Sequence, residues 1–213
     1  MNKLFSLFSN FSGSPHKTHS IRGNGKITIQ ERKILPFATV KVSGAISLNL
    51  TLGSEAIEAF VIADENVLPL ILTEIVGDVL HIYSQDSFTM KSQPSVNLAA
   101  PEVLNVVSSG SSDVMVHGIN QAEISLSTSG SGDITASGNT RSAKLRVSGS
   151  GSIRCVSLDA DNLDAKISGS GSVSATAKSS ASLKVSGSGK IQVWGSPKLV
   201  QSDRSGSGSI HLR

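Results

Sequence analysis

Residues 126–153, LSTSGSGDITASGNTRSAKLRVSGSGSI, hold two copies of a Ser-Gly-Ser-Gly tetrapeptide 19 residues apart, and that interval decides the architecture. Working outward, the first glycines of successive copies are Gly130, Gly149, Gly169, Gly187 and Gly206, with a degenerate copy at Gly110 where Ser112 replaces the second glycine. The steps are 20, 19, 20, 18 and 19 residues. A period of this length marks one unit stacked on itself, each unit burying an apolar face it cannot bury alone.

Aligned on the first glycine, the copies form columns. Six residues before it stand Leu104, Ile124, Ala143, Leu163, Ala181 and Val200; four before, Val106, Leu126, Leu145, Ala165, Leu183 and Ser202. Two before stand Ser108, Thr128, Val147, Ile167, Val185 and Arg204. Four after, the column is Val114, Ile134, Ile153, Val173, Ile191 and Ile210, and six after, Val116, Ala136, Cys155, Ala175, Val193 and Leu212. Every apolar column sits at an even offset, the period of strands with one face inside. The pattern predicts an all-β, parallel β-solenoid, right-handed in the usual sense of parallel connections, with seven to nine coils or partial coils. The break at Ser202 and Arg204 reads as a polar cap on the last coil.

The glycine pairs Gly130 and Gly132, Gly149 and Gly151, Gly169 and Gly171, Gly187 and Gly189, and Gly206 and Gly208 continue the inward parity. They predict a corner where the interior narrows and admits no side chain.

The composition suits a lean repetitive β protein: aromatics are 4% and glycine is 20 of 213 residues. A net charge of +3, without stacking aromatics or a dense cationic patch, argues against a nucleic-acid partner. Cys155 is the single cysteine and shares a column with Val116, Ala136, Ala175 and Val193, so it reads as a small core residue. No cofactor and no catalytic constellation is expected.

Outside the repeats, residues 1–20 form a separate tail without a convincing export signal. Leu4, Leu7, Phe8 and Phe11 follow one helix face, so residues 4–11 are a candidate for peripheral membrane contact, against the plainer reading of a frayed tail. Residues 21–213 read as a single solenoid domain, regular from about 104. Alternation continues in Ile27 and Ile29, in Val40 and Val42, and from Ile46 to Leu52. The stretch AFVIADENVLPLILTEIVGDVLHIYS reads as strand, connector, strand, Gly-Asp turn and strand, followed by a polar loop over 85–94.

GNGKITIQER, then FATVKVSGAISLNLTLG, then ADENVLPLILTEIVGDVLHIYS, then the serial SGSG units together resemble the bacterial family called putative auto-transporter adhesin, head GIN domain. The resemblance runs over roughly residues 23–213. It implies a β-helical fold, no catalytic residues, and an envelope or extracellular location, with the cytoplasm left open by the N-terminus. The early unit differs in reading VSGAIS.

Two outward features are candidate sites. Arg146, Lys166 and Lys184, three before the glycine on consecutive coils, form a cationic stripe suited to an anionic ligand, with discouragement of aggregation as the plainer role. Trp194 is a candidate partner anchor. Asp113 and Asp133, on adjacent coils, are too few for a calcium ladder and make at most one weak site. The expected function is a non-enzymatic surface-binding module that contacts glycans or proteins, with homo-oligomerisation open. The alternative is a cytoplasmic self-assembling scaffold resembling bactofilins, and a polysaccharide-active enzyme ranks third.

Overall fold

The computed structural model describes residues 20–213; the amphipathic segment 4–11 lies outside the described residues. Strand occupies 70% and helix 2%, in stacked parallel coils of about 5 turns. Long strands Val114–Gly130, Asp133–Gly149, Ser152–Gly169 and Ser172–Gly187 lie over one another, each one coil.

The columns form as the repeat dictates. Val147 pairs in register with Ile167 and Ile167 with Val185, and none of the three is more than 2% exposed. Leu126, Leu145, Ala165 and Leu183 make a second interior column, and Ile134, Ile153, Val173 and Ile191 a third on the opposite wall. Burying one such Leu or Ile contributes about 1.5–3 kcal/mol, so most cohesion comes from these ladders. The Leu104 position departs from its column: Leu104 is half-buried, and the neighbouring Val103 is fully buried.

At the Ser-Gly-Ser-Gly corner the first glycine has φ of +120° in Gly149 and +124° in Gly169. A Cβ on Gly169 would stand 2.5 Å from the Gly149 carbonyl oxygen of the coil below. The second glycine is excluded twice over, because a Cβ on Gly171 would meet both the Gly151 carbonyl oxygen of the coil below and, on the interior side, the Val147 side chain at 2.5 Å. Ser112 takes the second-glycine place in the Gly110 corner, where its hydroxyl donates to the Gly44 carbonyl of the neighbouring strand at 3.1 Å and Ser108 of its own coil donates to its carbonyl.

Variation in repeat length is absorbed elsewhere. The ladder between 152–169 and 172–187 skips from Cys155 opposite Ala175 to Asp159 opposite Thr176, so the longer coil carries its extra residues in a bulge away from the glycine corner.

The number of coils is lower than the period and length suggest, because the N-terminal part is not a serial repeat. Thr39–Gly44 and Ser47–Leu52 lie between Asn105–Gly110 and Val114–His117 on one side and Val79–Ser84 and Ser95–Ala100 on the other. Three further strands run antiparallel to their neighbours: Glu58–Asp64 on Ser95–Ala100, Ile27–Glu31 on Glu58–Asp64, and Ile71–Val76 on Val79–Ser84. Val67, Leu68 and Ile71 close the tube here, and the Arg32 guanidinium donates to the Leu68 and Ile71 carbonyls. On this edge the alternation of Ile27 and Ile29 faces water, at 59% and 64% exposure, because the residues paired with the buried Ala63 and Val61 are Thr28 and Gln30. At the other end, the strand Leu199–Ser205, with Ser202 and Arg204, is exposed throughout.

Candidate functional site

The wall that precedes the glycine corner is a parallel sheet whose outward side chains fall into rows. Ser127, Arg146, Lys166, Lys184 and Asp203 occupy one row in register. Parallel neighbours stand about 4.8 Å apart, so cations on adjacent coils repel unless compensated. The compensation is local. Asp164, one row across, accepts from the Arg146 guanidinium and lies 3.9 Å from the Lys166 ammonium. Lys184 pairs with Asp203 at 2.8 Å. That hydrogen bond and the opposite charge push the Lys184 pKa up and hold the Asp203 carboxyl below its ordinary value. Lys166 is therefore the cation of this row without a carboxylate at hydrogen-bond distance.

Beside the cations runs a row the sequence disclosed only as corner serines. Ser43, Ser109, Ser129, Ser148, Ser168, Ser186 and Ser205 stack in register. Between this row and the cations is a shallow groove of about 360 Å³, lined by Ser148, Ser168, Ser186 and the side chains of Arg146, Lys166 and Lys184. Lysine and arginine stems supply apolar walls while their heads remain in water.

Trp194 stands outward, half-buried, opposite Thr176 on the next coil, away from the cationic row. Asp113 and Asp133 are engaged in capping the next coil. The Asp133 amide donates to Asp113 Oδ1 at 3.3 Å and the Ser152 amide to Asp133 Oδ1 at 3.0 Å, while Arg154 holds Asp133 Oδ2 at 2.8 Å. Cys155 is 1% exposed, and burial pushes its thiol pKa up to about 12, so it is protonated and unreactive at neutral pH. Among the described residues no group of three or more His, Cys, Asp or Glu side chains is placed to hold a metal ion.

Residues 36–197 match the family described as "Putative auto-transporter adhesin, head GIN domain". Solved structures share the fold. A putative adhesin from Bacteroides fragilis superposes with a TM-score of 0.71 at 19% identity, over 91% of this chain and 100% of its own. A putative lipid binding protein from Parabacteroides distasonis gives 0.53 at 22% identity, over 91% and 99%. A putative adhesin from Parabacteroides merdae gives 0.53 at 19% identity, over the same shares. No curated protein matches the chain.

Proposed function

This chain belongs to the putative auto-transporter adhesin, head GIN domain family, and from that premise we propose that it is a non-enzymatic surface-binding module of the cell envelope. Its outward faces make multivalent, individually weak contacts. The observation that carries this reading is the register: each coil presents the same outward position about 4.8 Å above the last, so a polymer lying along the stack meets equivalent groups repeatedly. The cytoplasmic scaffold is not favoured, since the family's adhesin description supports the surface-binding reading instead.

Within this reading the Arg146, Lys166 and Lys184 face takes an anionic polymer, with Lys166 as the least compensated charge and the adjoining groove as its bed. Exposed charges of this kind contribute about 1 kcal/mol or less each and are screened by salt, so binding depends on several at once. The test is retention of the full chain on immobilised dextran sulfate. Retention at low salt that falls several-fold on raising the salt, and again in Lys166→Glu/Lys184→Glu, is the expected result. A folded double variant retained as well as the parent overturns the anionic face, and recovery of the native protein in cytosol alone overturns the envelope location.

A further inference from the structure

A second concavity lies on a different wall. It has a volume of about 430 Å³ and spans four consecutive coils. Its floor is built from two outward rows. In the first, Asn120, Asn139 and Asp159 stack in register. In the second, two residues further along each coil, stand Arg141 and Asp161. Between the rows Thr140 and Ala160 point inward and are buried, so the floor is held rigidly by the core.

Lys178 on the next coil reaches back to Asp159 at 2.9 Å. The side chains of Asn120, Asn139, Arg141 and Asp161 are exposed and make no hydrogen bond or ion pair with any described residue; the contact at Arg141 is through its main-chain carbonyl, which accepts from Asn162. The first row continues past Asp159 to Thr176 and then Trp194, with the exposed Val156 beside it, 46% accessible and bonded to Thr176 through its carbonyl.

We infer that this concavity is a subsite for a neutral, hydroxyl-rich linear glycan lying along the stack, with Trp194 as the stacking platform at one end. The inference rests on the surface-binding reading but uses a different face and a different ligand charge. Two acids and two bases share the floor, so an anionic polymer meets Asp159 and Asp161 and a cationic one meets Arg141 and Lys178. A neutral hydroxyl both donates and accepts, and this array offers both functions side by side. Planar amide, carboxylate and guanidinium groups each present paired atoms that match vicinal hydroxyls. The coil step of about 4.8 Å is close to the length of one sugar unit, so successive sugars meet successive coils. An indole face covers the apolar side of a sugar ring, and Trp194 lies two coil steps, about 10 Å, beyond Asp159 in the same row.

The experiment is an NMR titration of the ¹⁵N-labelled full chain with cellohexaose, maltohexaose and mannohexaose, with dextran sulfate retention measured in parallel. Trp194 is the single tryptophan, so its fluorescence reports the same site independently. The expected result is saturable shifts of the Asn120 and Asn139 side-chain amides and the Trp194 indole with at least one hexaose. Asp161→Ala and Trp194→Ala should each weaken that binding about tenfold while dextran sulfate retention is unchanged. Absence of these shifts with all three hexaoses, or binding that persists undiminished in folded Asp161→Ala and Asn139→Ala variants, overturns the subsite. Because the anionic face is read out separately, the subsite falls alone if retention on dextran sulfate survives.

Discussion

Gly169 and Gly44 occupy the same corner position in different coils and differ in what lies beneath them. A Cβ on Gly169 meets the Gly149 carbonyl at 2.5 Å, whereas a Cβ on Gly44, at φ +87°, meets nothing within 4 Å. Gly44→Ala should therefore cost only the left-handed backbone penalty of about 1–2 kcal/mol. Gly169→Ala adds a clash with main chain that no side-chain rotation relieves, which places it near the 4–5 kcal/mol extreme of single substitutions. Urea unfolding midpoints of the two variants check the difference; equal losses would show that close stacking is not what demands glycine. The inward parity of these glycines was legible from their even offsets. What the offsets did not contain was the agent of exclusion: at both Gly169 and Gly171 the nearest obstacle is a main-chain carbonyl oxygen of the neighbouring coil, and at Gly171 the Val147 methyl group adds to it.

The last strand on the cationic wall, Leu199–Ser205, is exposed along its length and pairs on one side with Ser172–Gly187. The Lys184–Asp203 ion pair ties the two together at 2.8 Å. Asp203 is lowered from 3.8, so its contribution is complete above that value and is lost as pH falls through the lowered one. Lys184 is raised from 10.5, so its share is complete below that value and is lost as pH rises through the raised one. An NMR titration of Asp203 should give a midpoint below 3.8 that returns toward it in Lys184→Met. An unchanged midpoint in the variant would show the pair to be absent in solution. The cationic row was readable because all members lie within one unbroken register. The Asn120, Asn139 and Asp159 row was not: its members all lie ten residues before a first glycine, an even offset that alternation alone reads as inward, but the buried pairs Thr140 and Ala143, and Ala160 and Leu163, stand three apart, so the parity switches between them and turns this row outward.

Across the whole molecule each coil touches chiefly the coils above and below, so an entire unit is removable if its ends are equivalent. Deleting residues 150–169 joins Gly149 to Ser170 and restores a Ser-Gly-Ser-Gly corner with Val147 under Val185. The shortened chain should retain β-type circular dichroism and cooperative unfolding, while deletion of residues 150–159 alone, which destroys the corner, should abolish both. Failure of the whole-unit deletion would mean that the coils are not interchangeable. The serial part of the stack was legible because equal spacing translates directly into equal height. The N-terminal end was not, because strand alternation carries no information on whether neighbours run parallel or antiparallel, or in what order they are inserted. That order matters to synthesis. Thr39–Leu52 sits between Val79–Ala100 and Asn105–His117, both of which follow it along the chain. A nascent polypeptide therefore holds this early segment without either ladder partner until the later ones have emerged, whereas every coil from Asn105 onward finds the coil it stacks on already made.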